Sequence, residues 1–435
     1  MNKEFVFLNV KPYLDLVSRE AWCLDSVQQP ESAPYYYLFM KKPLTDAGID
    51  HSIKMFDDID KSKPWFIPFT VTQGSWDWTE HDLWDTLPDI LLNELIHGNA
   101  YLLMNNENEY DTRYVFSVFY KMYRKNSIVP IHKLVLLTPA SSGQSIYEIY
   151  VKENNIPEEM KVKVLYSPHI DFTFNNGILI RTDAMVETTN KSKKFICLNR
   201  AFRWHRPCLV ALLASDGLLE KGYVSLGKSQ REDREVELLG SWKTFLNKSF
   251  SVLPEVCSPK RFALARKLFK GAELIADRMP LTVDKDEFLT NYADFNYTPT
   301  EYIQDSYFSV VTSTHFFKWQ EESSGWNEKE WKPVLARHPF IIINRPHTLK
   351  YMRRLGILTF SKWIDESYDD IEDDWDRLEA IVKEIKRLSE IDNKTWDKMR
   401  QEMMHILEYN RNIIINKRWE NIFYASDLKE LLKYI

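Results

Sequence analysis

Residues 306–344 read SYFSVVTSTHFFKWQEESSGWNEKEWKPVLARHPFIIIN, and they decide how the rest of the chain is read. The stretch opens on Tyr307-Phe308-Ser309-Val310-Val311-Thr312, a β-branched and aromatic run of the kind that forms a buried strand. A polar loop around Ser323-Ser324-Gly325 follows. Glu328-Lys329 then stands where a helix would begin, and after one helical segment comes a second apolar run, Pro339-Phe340-Ile341-Ile342-Ile343. Strand, loop, helix and strand in that order make one βαβ unit, with a carboxylate and an ammonium at the loop-to-helix joint. In open α/β sheets, ligands bind beyond the carboxyl ends of strands, so this joint is a candidate nucleotide site.

The flanking chain repeats the alternation. Phe5–Val10, Ala100–Met104, Lys133–Leu137 and Val162–Tyr166 read as strands, and Leu87–His97, Tyr114–Arg124 and Gln144–Glu153 as helices, the first stopped by Gly98 as a C′ glycine. Trp65–Val71 reads as a strand that Pro68 confines to a sheet edge. Tyr35–Met40 is another apolar segment. Short strands alternating with helices predict a parallel, doubly wound sheet. A polar, irregular stretch from Asp171 to Lys193 places a boundary near residue 190, and Phe195–Asn199 begins a second α/β domain. Helices are expected over Leu209–Leu219, Phe262–Ala276, Leu349–Gly356, Ile371–Leu388 and Lys394–Asn416, with a short strand at Gly222–Gly227. The expected organisation is thus a Rossmann-like domain over 1–190, a second over 191–391 and a helical tail over 392–435.

Composition narrows the function classes. At 435 residues the chain is long for a single core, and 44% hydrophobic with 28% charged residues is ordinary globular material. A net charge of -6 argues against a surface coated in Lys and Arg for gripping nucleic acid. The four cysteines have no CxxC spacing, which indicates neither a zinc site nor a disulfide framework and fits a reducing cytoplasm. No apolar leader and no apolar run approaching ~18 residues is visible, so neither a signal peptide nor a membrane span is expected. Only 12 glycines occur, and neither GxGxxG nor the P-loop pattern is present.

Glu328-Lys329-Glu330-Trp331-Lys332-Pro333, followed by His338-Pro339-Phe340-Ile341-Ile342, resembles the donor-binding motif of fucosyltransferase-like glycosyltransferases. Together with Phe195–Arg206 and Leu349–Tyr368, the stretch is similar to a group of phage and giant-virus glycosyltransferases, a resemblance covering roughly the second half of the chain. It implies the α/β GT-B architecture: two Rossmann-like doubly wound domains with a cleft between them and a C-terminal helical tail. The donor nucleotide would sit on the second domain and the acceptor would face the first. The resemblance also implies a nucleotide-sugar donor as co-substrate with no other cofactor, transfer without a metal, and inversion at the anomeric carbon. Host-cell cytoplasm would be the location.

Sugar transfer from a nucleoside diphosphate requires cations or hydrogen-bond donors for the departing diphosphate, and a base for the acceptor's proton. Arg200, Arg203, His205 and Arg206 crowd the first βα joint of the second domain and match the family's Asn-Arg-x-x-Arg-x-His-Arg run. Guanidinium groups grip phosphate oxygens in a bidentate fork; a solvated basic loop is the plainer alternative. Glu328 and Lys329 carry over from the family motif, the carboxylate for hydroxyls and the ammonium for phosphate, against the plain reading of an acidic helix start. Glu330-Trp331 departs from the small hydroxyl residue and Phe expected there. Thr312 and Thr314, at the end of the preceding strand, are either donor contacts or simple β-formers.

For the base, Glu109 and Glu80 lead by position among Glu107, Glu109, Asp77, Glu80, His81 and Asp82. Trp76, Trp78 and Trp84 are candidates for stacking on a sugar or for core packing. Asp284-Lys285-Asp286 matches the metal-binding DxD pattern at near chance level, and Asp365–Asp370 reads as a metal ligand set or as the cap of the helix that follows. The acceptor stays open between a modified DNA base, a glycan and a small molecule. A nucleotide- or nucleic-acid-binding module of the same fold without transfer activity is the competing reading.

Overall fold

A computed structural model describes residues 4–8, 50–71, 84, 87–106, 112–125, 127–138, 143–166, 182, 185, 188–199, 203–227, 244, 259–283, 299–317, 328–354 and 356–416. Those from 4 to 166 belong to one compact unit and those from 182 to 416 to another.

The first unit runs β1 (Glu4–Leu8), β2 (Asp50–Lys54), β3 (Trp65–Val71), α1 (Asp89–Ile96), β4 (Ala100–Asn106), α2 (Thr112–Lys125), β5 (Leu134–Thr138), α3 (Gly143–Glu153) and β6 (Lys163–Tyr166). All pairs are parallel in the order β2-β1-β3-β4-β5-β6. A parallel sheet needs cover on both faces. Alternate residues supply it: Trp65, Ile67, Leu102, Met104, Leu134 and Leu136 join one core cluster. Phe66, Leu103 and Val135, pointing the other way, are equally buried, with Phe66 ringed by Phe7 and Tyr101 at 5.8 Å each. Helix α2 buries Phe116, Phe119, Tyr120 and Tyr123, spaced i, i+3, i+4, i+7 along one face. Its Tyr120 and the Tyr147 of α3 touch hydroxyl to hydroxyl at 2.6 Å, and Val162 N donates to Tyr147 Oη at 2.8 Å.

Two expectations change here. Strand β3 is interior rather than an edge, flanked by β1 and β4. The described ladder between β1 and β3 is the single pair Phe7 with Phe66, and on the other side Pro68 stands opposite Leu103 of β4. Gly98 stands at the expected C′ position after the His97 cap of α1, but without the left-handed conformation that usually favours glycine there. A Cβ there would sit 2.9 Å from Glu94 O, so close approach is what requires the glycine.

The second unit runs β7 (Lys193–Cys197), α4 (His205–Ser215), β8 (Gly222–Val224), α5 (Pro259–Ala276), α6 (Thr300–Gln304), β9 (Ser306–Thr312), α7 (Glu328–Leu335), β10 (Phe340–Ile343), α8 (Thr348–Arg354), α9 (Asp374–Glu390) and α10 (Asn393–Ile415). Its four strands are parallel in the order β10-β9-β7-β8. Every residue of β9 is buried, as its unbroken apolar run requires. Both units are therefore parallel α/β structures of the expected class.

The division differs from the expected one. It falls between residues 166 and 182, ahead of 190, because Thr188 and Lys191 already bond to the Gln304 carbonyl of the second unit. Helix α10 is no separate tail: Trp396 stacks at 5.4 Å on both Tyr307 and Phe308 of β9, and Arg411 donates to Leu335 O. Of the acids of 365–370, Asp369 caps a helix, and it is not the next one. Asp369 accepts from Leu349 N (2.9 Å) and Lys350 N (3.0 Å) in α8, while α9 is capped by Asp373. Tyr35–Met40 lies outside the described residues.

Candidate functional site

The chain passes from β7 outward to β8, then returns to the other side of β7 for β9 and β10. Right-handed crossovers running in opposite directions put α4 and α7 on opposite faces of the sheet. At such a reversal of strand order, ligands of open α/β sheets bind beyond the carboxyl ends of the two strands, here beyond Cys197 and Thr312.

Three buried polar residues, each within two positions of a strand's carboxyl end, gather there. Asn199, fully buried, donates from Nδ2 to Ser225 O at 3.0 Å and accepts at Oδ1 from Thr312 Oγ1 at 2.7 Å. Its own amide donates to Ser225 Oγ at 3.0 Å, and its carbonyl accepts from Gly227 N at 3.1 Å. One side chain thus ties the ends of β7, β8 and β9. Ser313 is the second: its N donates to Ile343 O at 3.0 Å, its hydroxyl donates to the Glu330 carboxylate, and its carbonyl receives the first turn of α4. Asn344, the third, donates from Nδ2 to the same Glu330 oxygen at 3.4 Å.

The βα joint after β7 reaches the same place. Arg203 is half-buried, and its carbonyl accepts Arg206 N at 2.9 Å in the turn that opens α4. Arg206 itself is 3% exposed and donates from Nη2 to Thr312 O at 2.9 Å and Ser313 O at 3.2 Å. His205 Nε2 donates to Ser313 O at 3.1 Å, with the Phe316 ring 5.4 Å away. Burial, the Arg206 guanidinium and the neighbouring His315 hold His205 well below the usual imidazole range, outweighing the Ser313 carbonyl, so the ring is neutral at physiological pH. Helix α7 enters from the far side of β9. Lys329 is half-buried at its first turn, and Glu330 is fully buried.

The fold therefore gathers Arg203, His205, Arg206, Thr312 and Lys329 around the ends of β7 and β9. Within that group, His205, Arg206 and Thr312 are turned into the frame. Thr312 spends its hydroxyl proton on Asn199, and Thr314 is likewise buried. Glu328 opens α7, and nothing is described of its side chain. Arg200, Glu80, Glu109, the other loop acids around them, Trp76, Trp78 and Asp284–Asp286 lie outside the described residues. Trp84, 2% exposed, belongs to the core of the first unit. Sequence reading missed Asn199, Ser313, Glu330 and Asn344 as site residues. The signal available was a polar residue at the C-terminal end of apolar strand after apolar strand.

Among the described residues, no three His, Cys, Asp or Glu side chains gather as a metal-ligand set, and no helix is long and apolar enough to cross a membrane.

No family model matches the sequence, and no curated protein matches it. Solved structures similar in outline include an alpha,alpha-trehalose 6-phosphate synthase from Burkholderia multivorans, 9% identical, with 85% of this chain and 71% of that one covered at a TM-score of 0.41. A UDP-forming alpha,alpha-trehalose-phosphate synthase from Burkholderia vietnamiensis is 10% identical, covered over 98% of this chain and 82% of its own at 0.39. The N-terminal domain of Candida albicans trehalose-6-phosphate phosphatase is 11% identical, covered over 99% and 97% at 0.40. At such scores none of the three says what this chain does.

Proposed function

We propose that the protein is a glycosyltransferase that takes a nucleotide-sugar donor at the carboxyl end of the second sheet. The observation that carries this reading is the coincidence of the strand-order reversal at β7 and β9 with a cation-bearing joint on each side, Arg203 with Arg206 on one and Lys329 on the other. A departing diphosphate needs fixed positive charge and a dry, preorganised frame around it. The buried hydrogen bonds of Asn199, Ser313 and Glu330 supply such a frame.

In this reading Arg200, Arg203 and Lys329 contact the diphosphate, and Glu328 the hydroxyls of ribose or sugar. Arg206 lends its charge from within the frame, His205 braces it, and Thr312 holds Asn199 in place. Side-chain cations take the part that a metal plays in other transferases, and the sugar is transferred with inversion. The base is Glu109, with Glu80 as the second candidate, to be separated by Glu109→Gln and Glu80→Gln under saturating donor. The acceptor is a DNA base, a glycan or a small molecule.

Thermal unfolding against UDP-, GDP-, CMP- and ADP-linked sugars tests the reading. One donor should stabilise the wild type, by about 2.7 kcal/mol at a hundredfold excess over its Kd, and the gain should vanish in Arg203→Ala and Lys329→Ala. Silence across the whole panel removes the proposal. Stabilisation without donor hydrolysis or transfer to any acceptor favours a nucleotide-binding module that has the fold but not the chemistry.

A further inference from the structure

We infer that Glu330, through its hydrogen bond with Ser313, is a positioning residue that sets the direction of Lys329 toward the crevice. The inference rests on the donor-site reading above. It begins from an oddity: a carboxylate with no exposure in the first turn of a helix whose neighbouring residues are half-buried Lys329 and buried Trp331.

Helix α7 is only eight residues long and carries Pro333, so its own backbone bonds fix it weakly. Outside contacts hold both ends instead. At the C-terminal end, Arg411 donates to Leu335 O and Arg400 Nη2 to Arg337 O at 3.2 Å. At the N-terminal end, Glu330 Oε1 accepts from Ser313 Oγ and from Asn344 Nδ2 at 3.4 Å. The Asn344 amide is itself set by Arg345 N, which donates to its Oδ1 at 2.8 Å.

Consecutive helical residues diverge by about 100° around the axis, so clamping Glu330 fixes the helix rotation and with it the exit vector of Lys329. Ser313 is the common reference. Its carbonyl holds Arg206 and His205 of α4 while its hydroxyl holds Glu330 of α7, so the joints on the two sides of the crevice are registered against one residue. Registration of this kind matters for catalysis, because a cation misplaced by about 1 Å loses much of its value to a transferring group.

The test reads Lys329 directly and needs no donor. Brief acetylation of the native protein, quantified by mass spectrometry, compares Lys329 with Lys270 on the exposed face of α5. Glu330→Ala and Ser313→Ala should raise Lys329 labelling severalfold and leave Lys270 unchanged. Glu330→Gln, whose amide oxygen still accepts both bonds, should label as wild type. In donor titrations the same two alanine variants should bind roughly tenfold more weakly, and Glu330→Ala combined with Lys329→Ala should be little worse than Lys329→Ala alone.

Unchanged Lys329 labelling in both alanine variants overturns the inference. So does Glu330→Gln labelling like Glu330→Ala, which would place the effect in the carboxylate's charge and not in the bonds it accepts. Should Glu330→Ala fail to fold, Ser313→Ala removes the same bond by one hydroxyl and decides alone. If labelling responds while no nucleotide sugar binds even the wild type, the donor reading falls and the positioning role stands.

Discussion

Gly271→Ala is the sharpest test of how the second unit holds its site. Helix α5 buries Leu264, Leu268, Gly271 and Ile275, and at Gly271 it lies directly against α4. A Cβ there would stand 1.8 Å from Ala211 O, 2.5 Å from Ala211 C and 2.8 Å from Ala211 Cα. These are backbone atoms of a fully buried helix, so no side chain can swing aside. Ordinary carbon–oxygen contact lies near 3.3 Å, so the helices would have to part by roughly 1.5 Å. Overpacking costs about 1–3 kcal/mol, and a rigid opponent places this case near 3. Alanine returns about 1 kcal/mol of helix propensity. The net loss is about 2 kcal/mol, and for a unit of this size Tm falls by about 4–8 °C. Gly217→Ala is the control: at φ +71° with nothing within 4 Å, it carries only the left-handed backbone cost of about 1–2 kcal/mol. The two variants then separate at the site, because α4 presents His205 and Arg206 to the end of β9. Donor affinity should drop in Gly271→Ala and hold in Gly217→Ala. An unchanged or raised Tm for Gly271→Ala would refute the packing described here.

Three further outcomes are expected. Burial holds His205 and His338 well below the usual imidazole range, with Arg206, His315 and Arg203 adding to the effect at the first and Arg400 and Lys191 at the second. The native state therefore stays neutral at both rings while the unfolded chain takes up protons below about pH 6.5. Stability should fall with decreasing pH from there, by up to about 1.4 kcal/mol per pH unit for each ring, and urea unfolding between pH 7.5 and 5 should show a shallower slope in His338→Gln than in wild type. Burial pushes the Cys197 thiol up to about 12 and the Cys208 thiol higher, so neither should be alkylated at pH 8 until urea unfolds the second unit. Arg377 is 1% exposed and holds Phe316 O at 2.7 Å, Ile371 O at 2.8 Å and Asp374 at 2.6 Å; Arg377→Met strands those acceptors, should cost about 3–5 kcal/mol in urea unfolding, and should be little rescued by Arg377→Lys, whose ammonium cannot span them.

The class of the fold was legible because apolar periodicity is a local property. The β9 run, the start of α7 at Glu328 and the β10 run all lie where the pattern of 306–344 puts them. What periodicity could not supply was pairing. Pro68 reads as an edge signal by local rules, yet β3 is interior because β1 and β4 flank it, and which strands flank it is a fact about other segments. The same holds for Asp369, which sits just before α9 in sequence but caps α8, reached only after the chain folds back. At the site, charge was legible and direction was not. Arg203, His205 and Arg206 share one joint, but only α4's seating on β9 decides that the imidazole and one guanidinium face inward.

That inward turn bears on why an anion would approach here at all. The ends of β9 expose two carbonyl oxygens, those of Thr312 and Ser313, toward the crevice side of α4. Left bare, their dipoles would repel a phosphate at short range, and desolvating them would cost about 1–3 kcal/mol apiece. One guanidinium covers both, and the neutral His205 donates a further N–H to the second without adding charge that a buried site would have to offset. In the donor-site reading proposed above, the strand ends thereby change from acceptors facing a ligand to the inner layer of a positive surface that Arg203 and Lys329 would complete. On that reading buried and half-buried cations divide the work: Arg206 removes the local repulsion, and Arg203 with Lys329 supplies the attraction. A sequence run of Arg-x-x-Arg-x-His-Arg contains both parts, and only the fold tells them apart.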